Sequence, residues 1–350
     1  MMKKIFDKGF GMKILNGVAI GSVVVLIPGA LLNEIFKALL PIFPQGQFVL
    51  TATSFGMILM GVVIGVAVSM MFKFTPIQTA SVGMATAFAS GGWKLAEDGT
   101  FMLKGSGDII NMALTATFAV ILILAVADKF KAYAMLLTPT LVLIVAGGLG
   151  MITLPYVQMI TGAMAHLISN LLQLQPLLMS ILVSMIFAMM IVSPLSTVGI
   201  ALAVNLSGVG SAAANVGICA AAFGLAITGW KSNELGTKIA LMLGSPKMAM
   251  PNVMKKPKIM IPVLCNAALS AIVVVLLNQQ GTPMSAGFGI SGLIGPINAI
   301  NLAGGWTLGN ILNAVLAFMV MPIGLAIVFR KVFTEVKPIV AVDDYHIEVQ

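Results

Sequence analysis

Apolar stretches too long and too pure to rest in water recur along this chain, and they constrain its fold more than any motif does. "ATFAVILILAVA" and "SAIVVVLLN" lie in segments with the roughly 20 apolar residues that a helix needs to cross a hydrocarbon core. Charged residues make up 9% of the 350 and hydrophobic ones 59%, whereas a soluble domain carries about 25% charged residues. So little polar surface makes the bilayer the solvent. In lipid every backbone N–H and C=O must be satisfied within a helix or a closed barrel, and the two-residue alternation of barrel strands is missing. The fold class is therefore all-α, a polytopic membrane protein.

Apolar length and breaker residues predict about ten transmembrane helices, near 14–33, 48–72, 75–93, 108–127, 133–153, 155–174, 178–205, 208–230, 259–277 and 307–329. The third and sixth are rich in small and polar residues and could equally lie at an interface. The basic start before the first span resembles a secretion signal, but hydrophobic spans simply follow it. Two further segments, around 239–252 and 282–303, are apolar yet interrupted by Gly and Pro, which predicts re-entrant hairpins; such backbone is tolerated only inside protein or along a cavity. Residues 1–335 form one membrane domain and 336–350 a short cytoplasmic tail.

Lys3, Lys4, Lys8 and Lys13, then Lys129 and Lys131, then Lys255, Lys256 and Lys258, and finally Arg330, Lys331 and Lys337 fall on one side if ten crossings are made. Basic loops stay cytoplasmic, so both termini are expected there, with 94–107 outside. The same rule accounts for the net charge of +8 without a nucleic-acid partner. Cys219 and Cys265 lack metal-ligand spacing, and His166 and His346 are isolated from each other, so neither a metal nor a cofactor is expected. With no phosphate-binding loop either, no intrinsic catalysis is expected.

Polar residues inside apolar segments are costly and mark pathways. In "GSGDIIN", Asp108 and Asn111 open a span, either as a helix start or as solute contacts. "IVSPLSTVG" places Ser193, Ser196 and Thr197 around Pro194, where freed carbonyls could be satisfied locally or face a solute. "LGSPKMAMPN" contributes Ser245, Lys247 and Asn252, and "NQQGTPMSAGFGISGLIGPINA" contributes Thr282 and Ser285. Lys247 admits two readings: a ligand-binding ammonium between two prolines, or a stem that snorkels to the interface beside Lys255, Lys256 and Lys258. On the first reading, Lys247→Ala loses the ligand and keeps the fold.

"GSGDIIN", "TLPYVQMITGA", "LQPLLMSILVSMIFAMMIVSPLSTV", "GSPKMAMPNVMKKPKIMIPV" and "GTPMSAGFGISGLIGP", in this order over nearly the whole chain, resemble the membrane-embedded IIC components of the bacterial phosphotransferase system, in the branch with the perfringolysin-regulator-like proteins. The resemblance implies a homodimer in the bacterial plasma membrane that binds a sugar in each protomer and carries it across, with separate IIB and IIA proteins supplying the phosphate. It also implies a departure. Sugar-transporting relatives carry a motif of the form G-I-T-E-G-A-I-P-F whose glutamate accepts bonds from sugar hydroxyls. Here the corresponding stretch is Gly244 through Asn252, with Lys247 in the glutamate's place, and an ammonium better suits a carboxylate or phosphate. Three functions are consistent with these residues: a IIC subunit translocating a sugar or an anionic derivative, a IIC-derived membrane sensor, or a transporter of an anionic metabolite uncoupled from phosphotransfer.

Overall fold

Helices take up the apolar runs, as backbone satisfaction in lipid requires. The computed structural model describes residues 9–130 and 133–347; Lys3, Lys4, Lys8 and Lys131 of the basic clusters lie outside the described residues. In chain order the helices are α1 (Phe10–Leu39), α2 (Gln47–Ile58), α3 (Met60–Met71), α4 (Pro76–Phe88), α5 (Ile109–Phe130), α6 (Ala134–Leu171), α7 (Pro176–Ile191), α8 (Thr197–Ala203), α9 (Gly208–Thr228), α10 (Leu235–Gly244), α11 (Met250–Lys255), α12 (Pro257–Leu276), α13 (Ile294–Leu302) and α14 (Leu308–Val336). Between α4 and α5, β1 (Trp93–Leu95) pairs antiparallel with β2 (Phe101–Leu103) in a small hairpin. The chain is an all-α polytopic membrane protein.

Six helices among the described residues are long and apolar enough to span a bilayer: α1, α5, α6, α9, α12 and α14; α2 and α3, bent by 58°, make a seventh if counted together. This departs from the ten expected crossings in three places. The spans expected at 133–153 and 155–174 are one 38-residue helix, α6, because the single residue Leu154 between them is too short to reverse two helices. The span expected at 75–93 contains the 13-residue α4, about 20 Å long against a core of about 30 Å. The span at 178–205 is broken between α7 and α8 and doubles back, as shown below.

The chain forms two compact units, Met1–Leu26 with Leu50–Ile160, and Ile27–Val49 with Thr161–Gln350. In the first, helices meet through glycines spaced four apart, which let backbones approach closely where lipid supplies no hydrophobic drive. A Cβ on Gly17 would stand 2.4 Å from Val68 Cα, and one on Gly21 2.7 Å from Ile64 Cα, so α1 and α3 run antiparallel in contact. Hydroxyls here mostly bond their own helix: Ser22 to Val18 O, Ser69 to Gly65 O and Thr86 to Val82 O, at 2.7 to 2.8 Å, a pattern that hides a polar group without a tertiary role.

The second unit is built around α9, whose residues from Gly210 to Ala226 are all buried. Its composition, "GSAAANVGICAAAFG", suits a helix packed on every face. α7 lies beside it in the same direction: the Gly210 position meets Leu172 and Met179, and the Gly217 position meets Ser184. Because α8 leads back to Gly208 at that same end, residues 176–206 form a third re-entrant hairpin beyond the two expected. α12 runs opposite to α9, with Val263 against Gly224 and Gly281 exchanging two backbone hydrogen bonds with Gly208, at 2.9 and 3.0 Å. From the Gly281 end a second hairpin, 282–303, turns inward, closed by Thr282 donating to Asn298 Oδ1 at 3.1 Å. The third, 235–256, enters from the opposite end. Contact between α7 and α9 depends on Gly217, where a Cβ would lie 2.0 Å from the Ser184 carbonyl oxygen. Gly217→Ala should therefore cost about 1–3 kcal/mol of overpacking in reversible unfolding in mixed micelles, while Gly309→Ala, which meets nothing within 4 Å, should cost nothing measurable.

Candidate functional site

The tips of the three hairpins meet in the second unit. α7 stops at Ile191, and the carbonyls past a helix end have no N–H from their own helix; Pro194, with no N–H, adds none. Lys247, on the 3₁₀ turn Pro246–Ala249, fills the gap: its Nζ donates to Ser193 O at 2.5 Å and to Leu195 O at 3.1 Å. Thr197 donates to Gly287 O at 2.9 Å, and Ser291 to Gly244 O at 2.6 Å. Asn215, from the α9 spine, accepts the Gly289 N–H at 3.0 Å. The tip of 282–303 depends on left-handed backbone at Gly287 (φ 100°), Gly289 (φ 62°), Gly292 (φ 57°) and Leu293 (φ 58°). Such a conformation costs a residue like Leu293 about 1–2 kcal/mol. Gly287 is also glycine for space, since a Cβ there would stand 2.7 Å from Val198 N.

Lys247 is 2% exposed. This corrects the interfacial reading: a snorkelling stem puts its ammonium in water, whereas this one points into the protein and is retained by two carbonyls. The C-terminal end of α7 favours a cation there, through the negative end of its backbone dipoles. An ammonium has three N–H donors, and two are used. Among the described residues, ion pairs join Glu34 to Lys37 and Asp344 to Lys256, and none reaches Lys247. A buried charge with dipoles but no counter-charge is costly, and in a membrane it marks a working site more often than a structural one.

The other expected residues divide by what their polar atoms do. Thr197 bridges two hairpins. Ser193 donates to Met190 O at 2.8 Å, and Ser196 caps α8 by accepting the Gly199 N–H at 3.1 Å, so both hydroxyls take part in local structure. Ser245 accepts the Lys247 backbone N–H at 3.3 Å and supports the turn. Thr282 and Ser285 bond each other reciprocally. Asn252 turns from the tips toward the C-terminal segment, donating to Asp344 O at 3.1 Å and His346 O at 2.6 Å.

Asp108 and Asn111 belong to the first unit. Asp108 accepts the Ile110 and Asn111 N–H groups at 2.9 and 3.1 Å, a helix cap. Asn111, fully buried, donates to Ala89 O and Gly150 O at 2.6 and 2.9 Å and accepts from Thr153 at 2.8 Å, so its amide is committed to holding three segments together. Sequence reasoning passed over Asn215 and Ser291 as members of the site. Asn215 could have been found as the single amide in a run of Ala, Gly and Ser; its Nδ2 is buried and has no partner. No sequence signal separates Ser291 from its neighbours.

The family model described as phosphotransferase system, EIIC matches residues 12–347. No curated protein and no solved structure matches the chain.

Removing the Lys247 ammonium leaves two part-buried carbonyls without that donor, at up to about 1–3 kcal/mol for an unsatisfied group. These two bonds predict that the fold responds to loss of this side chain, whereas the sequence alone predicts that Lys247→Ala keeps the fold. Lys247→Met should lower the free energy of unfolding by that order. Thr117→Val, which loses only a bond to Ala113 O within its own helix, should stay within about 0.5 kcal/mol of the parent protein.

Proposed function

The chain belongs to the phosphotransferase system EIIC family, the membrane-embedded sugar-transport components of that system, and we propose that its solute is an anionic sugar derivative bound at the Lys247 cluster. The observation that carries this reading is the imbalance of donors. The third Lys247 N–H and the Asn215 Nδ2 are uncommitted, and the cluster's carbonyls are already taken up by Lys247, Thr197 and Ser291. A site with donors to spare favours a solute rich in acceptor oxygens, and a carboxylate or phosphate satisfies an ammonium better than a hydroxyl does. Binding near breaks in discontinuous helices is the recurrent plan of membrane transporters.

In this reading the chain works as a homodimer with separate IIB and IIA proteins, and the basic segment at the end of α14 lies in the cytoplasm. Fusing two expected crossings into α6 removes one, and turning 178–205 into a hairpin removes another. An even change leaves the basic clusters at Lys129, at Lys255 to Lys258 and at Arg330 to Lys337 on a common side.

The test measures the melting temperature of the purified protein with glucose, gluconate and glucose 6-phosphate. A probe at 100 times its Kd adds about 2.7 kcal/mol to the folded state, so gluconate or glucose 6-phosphate should raise the midpoint, glucose should not, and Lys247→Met should abolish the rise. Equal shifts in both proteins, or a shift with glucose alone, would contradict the reading. Flux in proteoliposomes then separates the modes: uptake that needs IIB and phosphoenolpyruvate is phosphotransfer-coupled transport. Uptake without them is an uncoupled transporter, and binding without uptake is a sensor.

A further inference from the structure

The segment after α14 is of mixed charge, and Val340 and Tyr345 within it are buried. Past Val336 the chain reverses, with the N–H groups of Ile339 and Val340 donating to Phe333 O at 3.0 and 3.3 Å. A 3₁₀ turn at Val342–Tyr345 follows, closed by the Ala341 N–H donating to Asp344 Oδ2 at 3.1 Å. From there the segment is gripped by three separate parts of the second unit.

The first is the end of α9. Asn233, itself buried, donates to Tyr345 O at 2.8 Å and accepts the Ile347 N–H at 2.8 Å, so one amide reads the strap's backbone as a neighbouring strand would. Ser232 donates to Val342 O at 3.1 Å, and Gly229 lacks a side chain where a Cβ would stand 2.8 Å from Tyr345 Cβ. The second is the start of α12: Tyr345 is 2% exposed, and its hydroxyl donates to Ile259 O at 2.9 Å. Satisfying the phenol at depth lets the ring be buried without an orphaned hydroxyl.

The third part is the outgoing leg of the hairpin that carries Lys247. Asn252 donates to two strap carbonyls, and Lys256 pairs with Asp344. That hydrogen bond from Lys256 holds the Asp344 carboxyl below its ordinary value of 3.8, so the pair persists throughout the neutral range. Asn233 and Asn252 flank the two legs of the hairpin. Its tip is held by Lys247 and Ser291, and its base is closed by the strap.

We propose that residues 339–347 form a latch across the base of the Lys247 hairpin, and that opening this latch frees the hairpin to move. The tip is held by three side-chain bonds and by the packing of Leu241 and Ala249 into the core; with the base closed, a shift at the tip must break contacts at both ends. The functional meaning rests on the reading of Lys247 as the solute-binding residue, whereas the mechanical claim does not.

Hydrogen exchange of the full-length protein in nanodiscs, without any solute, tests it. Asn252→Ala and Tyr345→Ala, alone and combined, should raise exchange at residues 245–255 at least tenfold, with exchange in α3 and α5 unchanged. Faster exchange at 340–347 with the hairpin unchanged would overturn the latch, as would uniform acceleration throughout the second unit. Because the measurement contains no sugar, a failed latch leaves the solute reading standing. Equal gluconate and glucose 6-phosphate shifts in the parent and Lys247→Met proteins would remove the solute reading without touching this result.

Discussion

A carbonyl that loses its helical partner inside a membrane must be given a donor, and where α7 breaks in the second unit one lysine does so for two of them. Breaking α7 at Ile191 lets the chain turn back toward Gly208, and the break leaves Ser193 O and Leu195 O open. The Lys247 ammonium closes both. It thereby ties one re-entrant hairpin to another, while Ser291 and Thr197 bring in the third. In water these carbonyls would be solvated at little cost. In hydrocarbon each would cost several kcal/mol, so the lysine is part of the fold itself.

An ammonium at this position is costly to bury. Two carbonyl dipoles and the end of α7 lower its cost without cancelling it, because no carboxylate among the described residues pairs with it. A passing anion could complete the neutralisation. The same arrangement makes the site sensitive to movement: any shift of the 235–256 tip alters both the ammonium and the carbonyls it covers. A strap bracing the base of that hairpin therefore bears on the chemistry of its tip.

Much of this was legible in the sequence, and the exceptions have physical causes. The apolar runs announce helices because lipid permits little else, and Gly and Pro in 239–252 and 282–303 announce hairpins because helices cannot continue through them. The third hairpin was hidden, since α7 and α8 are both apolar and only the few residues around Pro194 reveal the break. Pro155 suggests a break within α6, yet it is a proline that a membrane helix accommodates. Lys247 stood out as an anomaly of composition, but its partners lie 52 and 54 residues away. The strap's bonds to Asn252 cross 92 and 94 residues, and no local pattern announces contacts at that range.

If Lys247 is the tie that holds the hairpin tips together, its energy must be shared with the other bonds at those tips. A double-mutant cycle in reversible unfolding measures this sharing, using Lys247→Met, Ser291→Ala and the combined variant. Ser291 bonds Gly244 at the start of the turn that carries Lys247, so the two losses should be non-additive, with a coupling of about 0.5–3 kcal/mol as for residues in one network. Losses that sum to within about 0.3 kcal/mol, as for independent sites, would show that the lysine and the hairpin tips act separately and would contradict the account.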